Sequence, residues 1–302
     1  MPSPLRRLLA SPYAHLTLVA LCWAGNILLA RAVREQITPV SLNFWRWGVS
    51  ALVLVPLQAP RLWSARAIIL RDWKVFVVLG TMGVALFHSL LYVALSMTLA
   101  MNVSIISSMT PIMIVLIAWG WIGERISLRQ GVGVVLSLAG VLAIVVRGDP
   151  AALLHLRINP GDLVALATVP MWGTYTVLLR RYHSPLPGAT MLAAIILVGT
   201  LLLLPFFVYD VLAGAPTAYT FATVGTILYV SVLGSVLSYW LWNRSVAIVG
   251  ANRAGLFLHL IPVFTAVMAI AFLGEQPHLY HGLGLLTIFS GIYFVTVRRT
   301  AV

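Results

Sequence analysis

Hydroxyl, imidazole and amide side chains recur at regular intervals inside long apolar stretches of this sequence. His88 and Tyr92 lie four residues apart, and 151 residues later Tyr239 and Asn243 repeat that spacing. Residues four apart share one face of a helix, so each pair predicts a polar helix face. These neutral groups donate and accept hydrogen bonds. They suit the binding of a small polar molecule better than the breaking of covalent bonds.

A second matched pair accompanies two prolines. Ser108 lies three residues before Pro111, and His259 lies three residues before Pro262, again 151 residues later. A proline inside a helix leaves the carbonyl group four residues upstream without its usual partner. Each proline therefore predicts either a simple kink or a bare polar group facing a cavity.

A third alignment, with an offset of 149 residues, matches Trp23 with Trp172 and Asn26 with Tyr175. If the two halves of the chain face each other across a two-fold axis, the matched faces converge near its centre. We therefore predict one binding cavity lined by nine residues. These are Asn26, His88, Tyr92, Ser108, Trp172, Tyr175, Tyr239, Asn243 and His259.

The sequence lacks the patterns that enzymes use. It contains one lysine, Lys74, and no Gly-Lys-Ser/Thr segment for a nucleotide-binding loop. Neither His-Glu-x-x-His nor Gly-x-Ser-x-Gly occurs. The seven acidic residues all fall at the ends of the apolar stretches or between them. We expect no enzyme activity, no cofactor and no metal site, including at the two histidines of residues 278–281.

The composition is that of a membrane protein. Hydrophobic residues make up 61% of the chain and charged residues 9%, against about 25% charged residues in a soluble domain. Apolar runs of about 20 residues can cross the hydrocarbon layer. The sequence predicts an all-α polytopic protein with ten spans: 14–34, 39–58, 74–97, 99–121, 127–147, 160–181, 187–209, 221–244, 250–273 and 279–298.

Positive charge predicts the orientation. If both termini are cytoplasmic, the inner segments carry fourteen Lys and Arg residues, and the outer segments carry four: Arg31, Arg34, Arg147 and Arg157. Cytoplasmic loops are enriched in these residues, so we predict an inner-membrane protein with both termini inside. The net charge of +12 follows from this bias, and we expect no nucleic-acid partner.

The chain repeats itself with inverted orientation. A proline, a Gly-Glu pair and three glycines recur at a constant offset of 151 residues. Because each half holds five spans, an odd number, the second half enters the membrane upside down relative to the first. We predict two repeats, residues 1–149 and 150–302. The matched positions are Pro111, Gly123, Glu124, Gly131, Gly133 and Gly140 with Pro262, Gly274, Glu275, Gly282, Gly284 and Gly291.

Several of these residues have alternative interpretations. Either histidine could serve only as a hydrogen bond between helices, and the matched glycines are predicted to be close-packing surfaces. The two Gly-Glu pairs are predicted to fix the turn to the next span. Arg46, the only charge well inside a span, could extend to the outer surface, pair with an acid such as Glu35 or contact a substrate.

The doubled pattern, together with Trp23 and Arg46, resembles the drug/metabolite transporter superfamily and, within it, the EamA family of ten-span carriers. The resemblance covers nearly the whole chain and is specific for the fold. It implies two inverted five-span repeats, with spans 1, 3, 4, 6, 8 and 9 around a central cavity and spans 5 and 10 outside. The aromatic interior resembles that of the YddG-type exporters of aromatic amino acids.

Two departures narrow the expected substrate. Small multidrug-type relatives hold cations with a glutamate in span 1, where this chain has Asn26, and carriers of sugar phosphates use basic residues, of which this interior offers only Arg46. The resemblance therefore implies a monomeric exporter of neutral amino acids or similar metabolites working by alternating access. A multidrug or dye exporter and a non-transport assembly or sensor subunit remain alternatives. Transport is either facilitative or coupled to protons through His88 or His259.

Overall fold

The computed structural model describes residues 11–98, 100–153, 159–273 and 278–296. Within these residues, ten helices are long and apolar enough to cross a membrane, which confirms the predicted number. We number them span 1 to span 10. They are Pro12–Ala32, Pro39–Ser64, Trp73–Met97, Ile105–Ile122, Leu128–Val145, Pro160–Arg181, Gly188–Leu212, Phe221–Val249, Ala251–Met268 and Leu279–Thr296.

Three boundaries differ from the predicted ones. Span 2 continues through two internal prolines to Ser64, and a short helix, Arg66–Arg71, follows it. Span 8 continues to Val249. The helix of span 4 is interrupted: Ala100–Ser107 ends before Thr110–Ile122 begins. Pro111 lies in the first turn of the second segment, where its missing N–H costs no hydrogen bond, so the break precedes the proline.

Helix caps mark the spans as the sequence suggests. The Ser127 hydroxyl accepts from the Gln130 backbone N–H at 3.2 Å, and the Gln130 side chain accepts from the Ser127 N–H at 2.8 Å, which confirms the predicted capping box of span 5. Asn159 and Asp162 form an equivalent box for span 6. Gly123 ends span 4 with a left-handed φ of 68°, a conformation that glycine adopts without strain.

Spans pack in the pairs that a pseudo-two-fold axis requires. Span 5 packs against span 10 and span 2 against span 7, and in each case the two partners occupy equivalent places in the two halves. The contacts of span 1 with spans 8 and 9 are mirrored by the contacts of span 6 with spans 3 and 4. This exchange of partners is what an isologous interface produces.

Glycines at the contact of spans 5 and 10 show the same exchange of partners between the two repeats. A Cβ atom on Gly133 would lie 2.6 Å from the carbonyl oxygen of Gly291, and one on Gly140 would lie 2.6 Å from that of Gly284. Gly133 is offset by 151 residues from Gly284, and Gly140 by 151 from Gly291. Gly133 thus contacts the counterpart of Gly140, and Gly140 contacts the counterpart of Gly133. Only glycine allows the backbones to approach this closely.

The close-packing prediction is wrong for the remaining pair. A Cβ atom on Gly282 would meet nothing within 4 Å, and one on Gly131 would meet only the Ile126 side chain at 3.8 Å. Each of them lies two residues before a contacting glycine, Gly133 or Gly284, which places it on the other side of its helix. Constant spacing in the sequence therefore does not by itself identify a packing position.

Glu124 supports its predicted structural role. Its carboxylate lies against Gly250, where an added Cβ atom would be 2.8 Å from the carboxylate oxygen. Gly250 has a φ of 88° and directly precedes the helix of span 9. The contact joins the end of span 4 to the start of span 9. The matching Gly274 and Glu275 lie outside the described residues.

Spans 3 and 8 each contain a π-helical turn, at Thr81–Ala85 and Val232–Leu237. Their central glycines, Gly83 and Gly234, are offset by 151 residues. A π-turn widens the helix and leaves backbone carbonyl groups available to other partners, and such turns recur at functional sites. The Gly83 carbonyl, for example, accepts a hydrogen bond from the Tyr239 hydroxyl at 2.5 Å.

Candidate functional site

A cavity of about 1370 Å³ lies between the two halves of the chain. Spans 1, 3, 4, 6 and 9 form most of its wall, and Tyr229 is the contribution of span 8. The outer ends of spans 5 and 10 also reach it, although most of that helix pair packs outside. Five of the nine predicted site residues line this cavity: Asn26, His88, Ser108, Trp172 and His259.

The cavity opens toward one membrane face. Its rim contains Arg31 in the last turn of span 1, Arg34 beyond that span, Arg147 beyond span 5 and His281 at the start of span 10. These positions all belong to the segments that the charge count assigns to the outside. No residue from the opposite ends of the spans contributes to the lining.

Closely packed rings form the floor of the cavity. Trp23 and Trp172, whose ring centroids are 5.1 Å apart, line the cavity from below. Tyr239 lies 6.0 Å from Trp23 and 4.9 Å from Trp47 in the next layer. All these rings are buried, and edge-on and tilted packing stabilises such contacts beyond simple burial. The aromatic floor consists of Trp23, Trp47, Trp172, Tyr175, Tyr239 and Trp242.

The other four predicted residues, Tyr92, Tyr175, Tyr239 and Asn243, lie outside the lining of this cavity. Each carries a hydrogen bond from its side chain to another part of the protein. The reason is that a buried hydroxyl or amide needs a partner, and neighbouring spans supply it. The sequence pattern therefore identified helix faces that are polar and turned toward the protein interior, but only some residues on each face line the cavity.

The outer part of the site contains a hydrogen-bonded pair between spans 1 and 3. The Tyr92 hydroxyl donates to the Asn26 side-chain oxygen at 3.1 Å. We call this the outer Asn–Tyr pair. Both residues are buried, and Asn26 also lines the cavity.

Arg46 completes the outer pair. Its guanidinium donates to Asn26 at 3.4 Å, to the Tyr92 hydroxyl at 3.1 Å and, in span 8, to the Gly234 carbonyl at 2.8 Å and the Ser235 hydroxyl at 2.5 Å. The side chain is 0% exposed, so it does not extend to the outer surface. Glu35 instead pairs with Arg34. Two of the three interpretations of Arg46 are therefore wrong, because neutral groups within the protein solvate it.

The inner part of the site contains the equivalent pair. The Tyr175 hydroxyl donates to the Asn243 side-chain oxygen at 3.0 Å, joining span 6 to span 8. We call this the inner Asn–Tyr pair. Asn26 aligns with Tyr175, and Tyr92 aligns with Asn243, so the two repeats make the same bond with the residue types exchanged. That exchange hides the correspondence from a simple comparison of residue identities.

Ser108 and His259, offset by 151 residues, contact each other directly. The His259 Nε2 atom lies 2.9 Å from the Ser108 carbonyl oxygen, which can only accept, so Nε2 carries a proton. The Nδ1 atom lies 2.6 Å from the Ser137 hydroxyl. Both ring nitrogens are thus engaged at the interruption of span 4. The matched Pro262 follows a similar interruption, a 3₁₀ turn at Phe257–His259.

His88 has a different environment. It is buried at the cavity wall, and among the described residues its Nδ1 atom has no hydrogen-bond partner. Its ring contacts Phe87, with ring centroids 4.7 Å apart, and lies 6.0 Å from Tyr92. Of the two predicted histidines, His88 is the one with hydrogen-bonding capacity left for a ligand.

Contacts below the aromatic floor close the opposite face. The Tyr182 hydroxyl at the end of span 6 donates to the Asp72 carboxylate at 2.7 Å, and Arg71 donates to the same carboxylate. The hydrogen bond from Arg71, and to a smaller extent the one from Tyr182, lower the pKa of Asp72 from 3.8 to about 2. The Ser245 hydroxyl donates to the Pro12 carbonyl at 3.2 Å, joining span 8 to span 1.

Sequence reasoning missed three features of the site: the two π-turns, the role of Trp23 in the floor, and the partners of Arg46. A signal existed for the first, because Gly83 and Gly234 share the 151-residue offset. The partners of Arg46 come from three different spans. No local pattern connects them.

Comparison with known proteins agrees with this architecture. The model of the EamA-like transporter family matches twice, at residues 12–146 and 159–297. The chain belongs to the EamA-like transporter family. The two matches correspond to spans 1–5 and spans 6–10, and the family identifies this protein as a multi-pass membrane transporter.

Relatives of this EamA-like transporter span nearly its whole length. An "Uncharacterized transporter" of Archaeoglobus fulgidus is 28% identical over 94% of this chain and 96% of that protein. A "Probable terminal-alkyne amino-acid exporter" of Streptantibioticus cattleyicolor is 26% identical, covering 87% and 85% of the two chains. A solved crystal structure with 18% identity superposes with a TM-score of 0.76 over 95% of this chain and 97% of that one, which shows the shared fold.

Proposed function

We propose that this EamA-like transporter exports neutral amino acids, above all those with apolar or aromatic side chains, across the inner membrane. The observation that carries the proposal is the cavity itself. It offers an aromatic floor, Trp23 and Trp172, beside neutral hydrogen-bonding groups from both halves of the chain. A zwitterion with an apolar side chain matches this combination, because rings bind the side chain and polar groups bind its charged ends.

The arrangement supports alternating access. The cavity is open to the face that the charge count assigns to the outside, and the aromatic floor and the contacts of Asp72 and Ser245 close the other face. In a pair of inverted repeats the open face and the closed face can alternate, because each repeat can open the cavity toward its own side of the membrane. If the termini are cytoplasmic, as the charge count predicts, this opening corresponds to the outward-facing state from which an exporter releases its substrate.

The relative from Streptantibioticus cattleyicolor supports an amino acid as the substrate, since its name describes an amino-acid exporter. The YddG-type preference for aromatic amino acids is the finer part of the proposal. It rests on Trp172, which lies in the floor with its ring 4.9 Å from Phe87.

A multidrug or dye exporter is the second candidate. The volume of about 1370 Å³ favours it, because pockets for small ligands usually measure about 300–1,000 Å³. The third alternative, an assembly or sensor subunit without transport, is not favoured by a cavity that connects to one membrane face.

Counterflow in proteoliposomes tests the function. The purified protein is reconstituted with an excess of one unlabelled amino acid inside, and uptake of the labelled amino acid is measured across a panel. We expect transient accumulation of phenylalanine and of other neutral amino acids, and none of glutamate or lysine. Ethidium accumulation in the absence of amino-acid counterflow would support the multidrug candidate and contradict ours.

Reporter fusions test the orientation. Reporters placed after residues 66, 128, 184 and 248 and at the C-terminus are expected to be cytoplasmic, and reporters near residues 36, 152, 215 and 276 external. An external C-terminus would contradict both the ten-span count and the inverted repeat.

A further inference from the structure

The orientation of the Asn26 amide is determined by its neighbours. Its side-chain oxygen receives hydrogen bonds from Arg46 and from Tyr92. A guanidinium has donors and no acceptor, so the Asn26 atom that faces Arg46 is the oxygen and not the nitrogen. The two hydrogen atoms on the Asn26 nitrogen must therefore point away from Arg46.

These hydrogen atoms are left for water or a ligand. Among the described residues, the Asn26 side-chain nitrogen donates no hydrogen bond, although the residue is only 2% exposed. Asn26 lines the cavity. A donor at the cavity wall without a partner in the protein is available to a ligand, whose acceptor would replace a hydrogen bond to water.

Charge at the same place favours an anionic acceptor. Arg46 is fully buried, and its four partners, Asn26, Tyr92, Gly234 and Ser235, are all neutral. No carboxylate in the described part of the chain lies within ion-pair distance of it. A buried positive charge of this kind is stabilised when an anion approaches. The guanidinium also polarises the Asn26 amide and strengthens its N–H groups as donors.

We propose that the Asn26 amide, oriented by Arg46 and Tyr92, is the subsite for the substrate carboxylate. The inference rests on the proposed amino-acid transport and adds where the carboxylate binds. Asn26 contacts the carboxylate, and Arg46 acts as a positioning residue that supplies the field from behind. Trp23 of the aromatic floor donates at 2.9 Å to the Gly234 carbonyl, which also accepts from Arg46, and the floor then receives the side chain.

Competition by matched acids and carboxamides tests this subsite. In counterflow with labelled phenylalanine or threonine, the unlabelled amino acid competes with its own carboxamide, which has the same side chain and no anionic end. For the wild-type protein we expect the acid to compete about 10- to 100-fold better than the carboxamide, the range for hydrogen bonds to charged groups.

Asn26→Asp should weaken or remove this preference. The introduced carboxylate cannot donate to a substrate carboxylate and repels it. The ratio of acid to carboxamide affinity is therefore expected to fall at least about tenfold. Asn243→Asp is the matched control, since it makes the same change in the inner Asn–Tyr pair, away from the cavity lining. That variant should lower both affinities together and leave the ratio unchanged.

Asn26→Leu provides a second variant of similar size that lacks any donor. Its ratio should approach one, measured on protein that elutes as a single species after purification. A ratio that stays at the wild-type value in Asn26→Asp or Asn26→Leu, or a wild-type ratio near one, would overturn the carboxylate subsite. Failure of the wild-type protein to exchange any amino acid would instead overturn the proposed function.

Discussion

The two Asn–Tyr pairs make the same hydrogen bond, one in each repeat, yet we propose different roles for them. Tyr92 donates to Asn26 at 3.1 Å in the outer pair, and Tyr175 donates to Asn243 at 3.0 Å in the inner pair. Each bond joins the first span of a repeat to its third span. Both bonds can therefore persist while the two repeats move as rigid units.

Their surroundings differ in charge and in space. The Arg46 guanidinium donates to both members of the outer pair, and Asn26 of that pair lines the cavity. Tyr175 of the inner pair is itself part of the aromatic floor, where its ring stacks on Trp172 with centroids 5.1 Å apart. No cation accompanies this pair from span 7, which corresponds to span 2 and contains no basic residue. The same bond thus occurs in both repeats, and the buried cation beside the outer pair supports the proposed carboxylate subsite there.

Breaking the outer pair should have the largest effect. Arg46→Ala removes four hydrogen bonds from a charged donor, each worth about 1.5–3 kcal/mol, although every partner keeps one other hydrogen bond. We expect counterflow to fall more than tenfold at equal amounts of reconstituted protein. Arg46→Lys keeps the charge but not the planar set of donors, so it should restore only part of the rate. Wild-type rates in Arg46→Ala would contradict the importance given to this pair.

The floor above the inner pair should control side-chain preference. Trp172→Ala removes an aromatic contact worth roughly 0.5–1.5 kcal/mol beyond its buried area. The apparent affinity for phenylalanine should fall more than that for threonine, and Trp172→Phe should keep most of the preference. Equal losses for both amino acids would place the side-chain pocket elsewhere.

Removing one hydroxyl from each pair compares them directly. Tyr175→Phe deletes the bond to Asn243 and should cost about 1 kcal/mol, with all amino acids affected alike; loss of the Tyr239 bond to Gly83 should behave in the same way. Tyr92→Phe should in addition lower the preference for acids over carboxamides. If both Phe variants change that preference equally, the two pairs do not differ in function.

The pH dependence of transport should be the smallest effect, and it should come from His88. If transport is proton-coupled, replacing His88 and His259 together with Gln should abolish the pH dependence, because an imidazole can take up and release the proton. Because Ser108 and Ser137 engage both nitrogens of His259, we expect His88→Gln alone to suffice. Rates are measured from pH 5 to pH 8. Proton-driven uptake that persists in the double variant would refute the assignment.

Asp72 provides the control for that experiment. Its pKa is lowered from 3.8 to about 2, so its contribution to stability is complete above pH 3.8 and is lost as the pH falls through about 2. The carboxylate stays ionised throughout the range from pH 5 to pH 8. Asp72→Asn should therefore leave the shape of the pH profile unchanged.

The sequence predicted the ten spans because length and hydropathy decide which helices can cross a membrane. It located the buried polar faces as well, since the repeat offset identifies equivalent positions. It could not predict which matched residues touch. Ser108 contacts its own counterpart His259, whereas Gly133 contacts the counterpart of Gly140, and this difference depends on distance from the two-fold axis.

The neutral partners of Arg46 could not be predicted either. Arg46 could have extended to water, and only the packing of spans 1, 3 and 8 around it shows that it is buried. The π-turns at Gly83 and Gly234 have no strong local signature, because a widened turn depends on the side chains that fill the neighbouring space.

Cysteine accessibility tests the central claim most directly. Cys22 is the only cysteine, so Cys22→Ala gives a background for single substitutions. Thr265→Cys places a thiol in the cavity wall, and Ser245→Cys places one below the aromatic floor. A membrane-impermeant maleimide is applied to oriented vesicles from either side.

We predict that the Thr265→Cys variant reacts from the outside and that substrate slows the reaction, while the Ser245→Cys variant reacts slowly from the outside and faster from the inside when substrate drives turnover. Labelling of Thr265→Cys only from the inside, or equal outside labelling of both variants, would contradict an outward-open cavity closed by an aromatic floor.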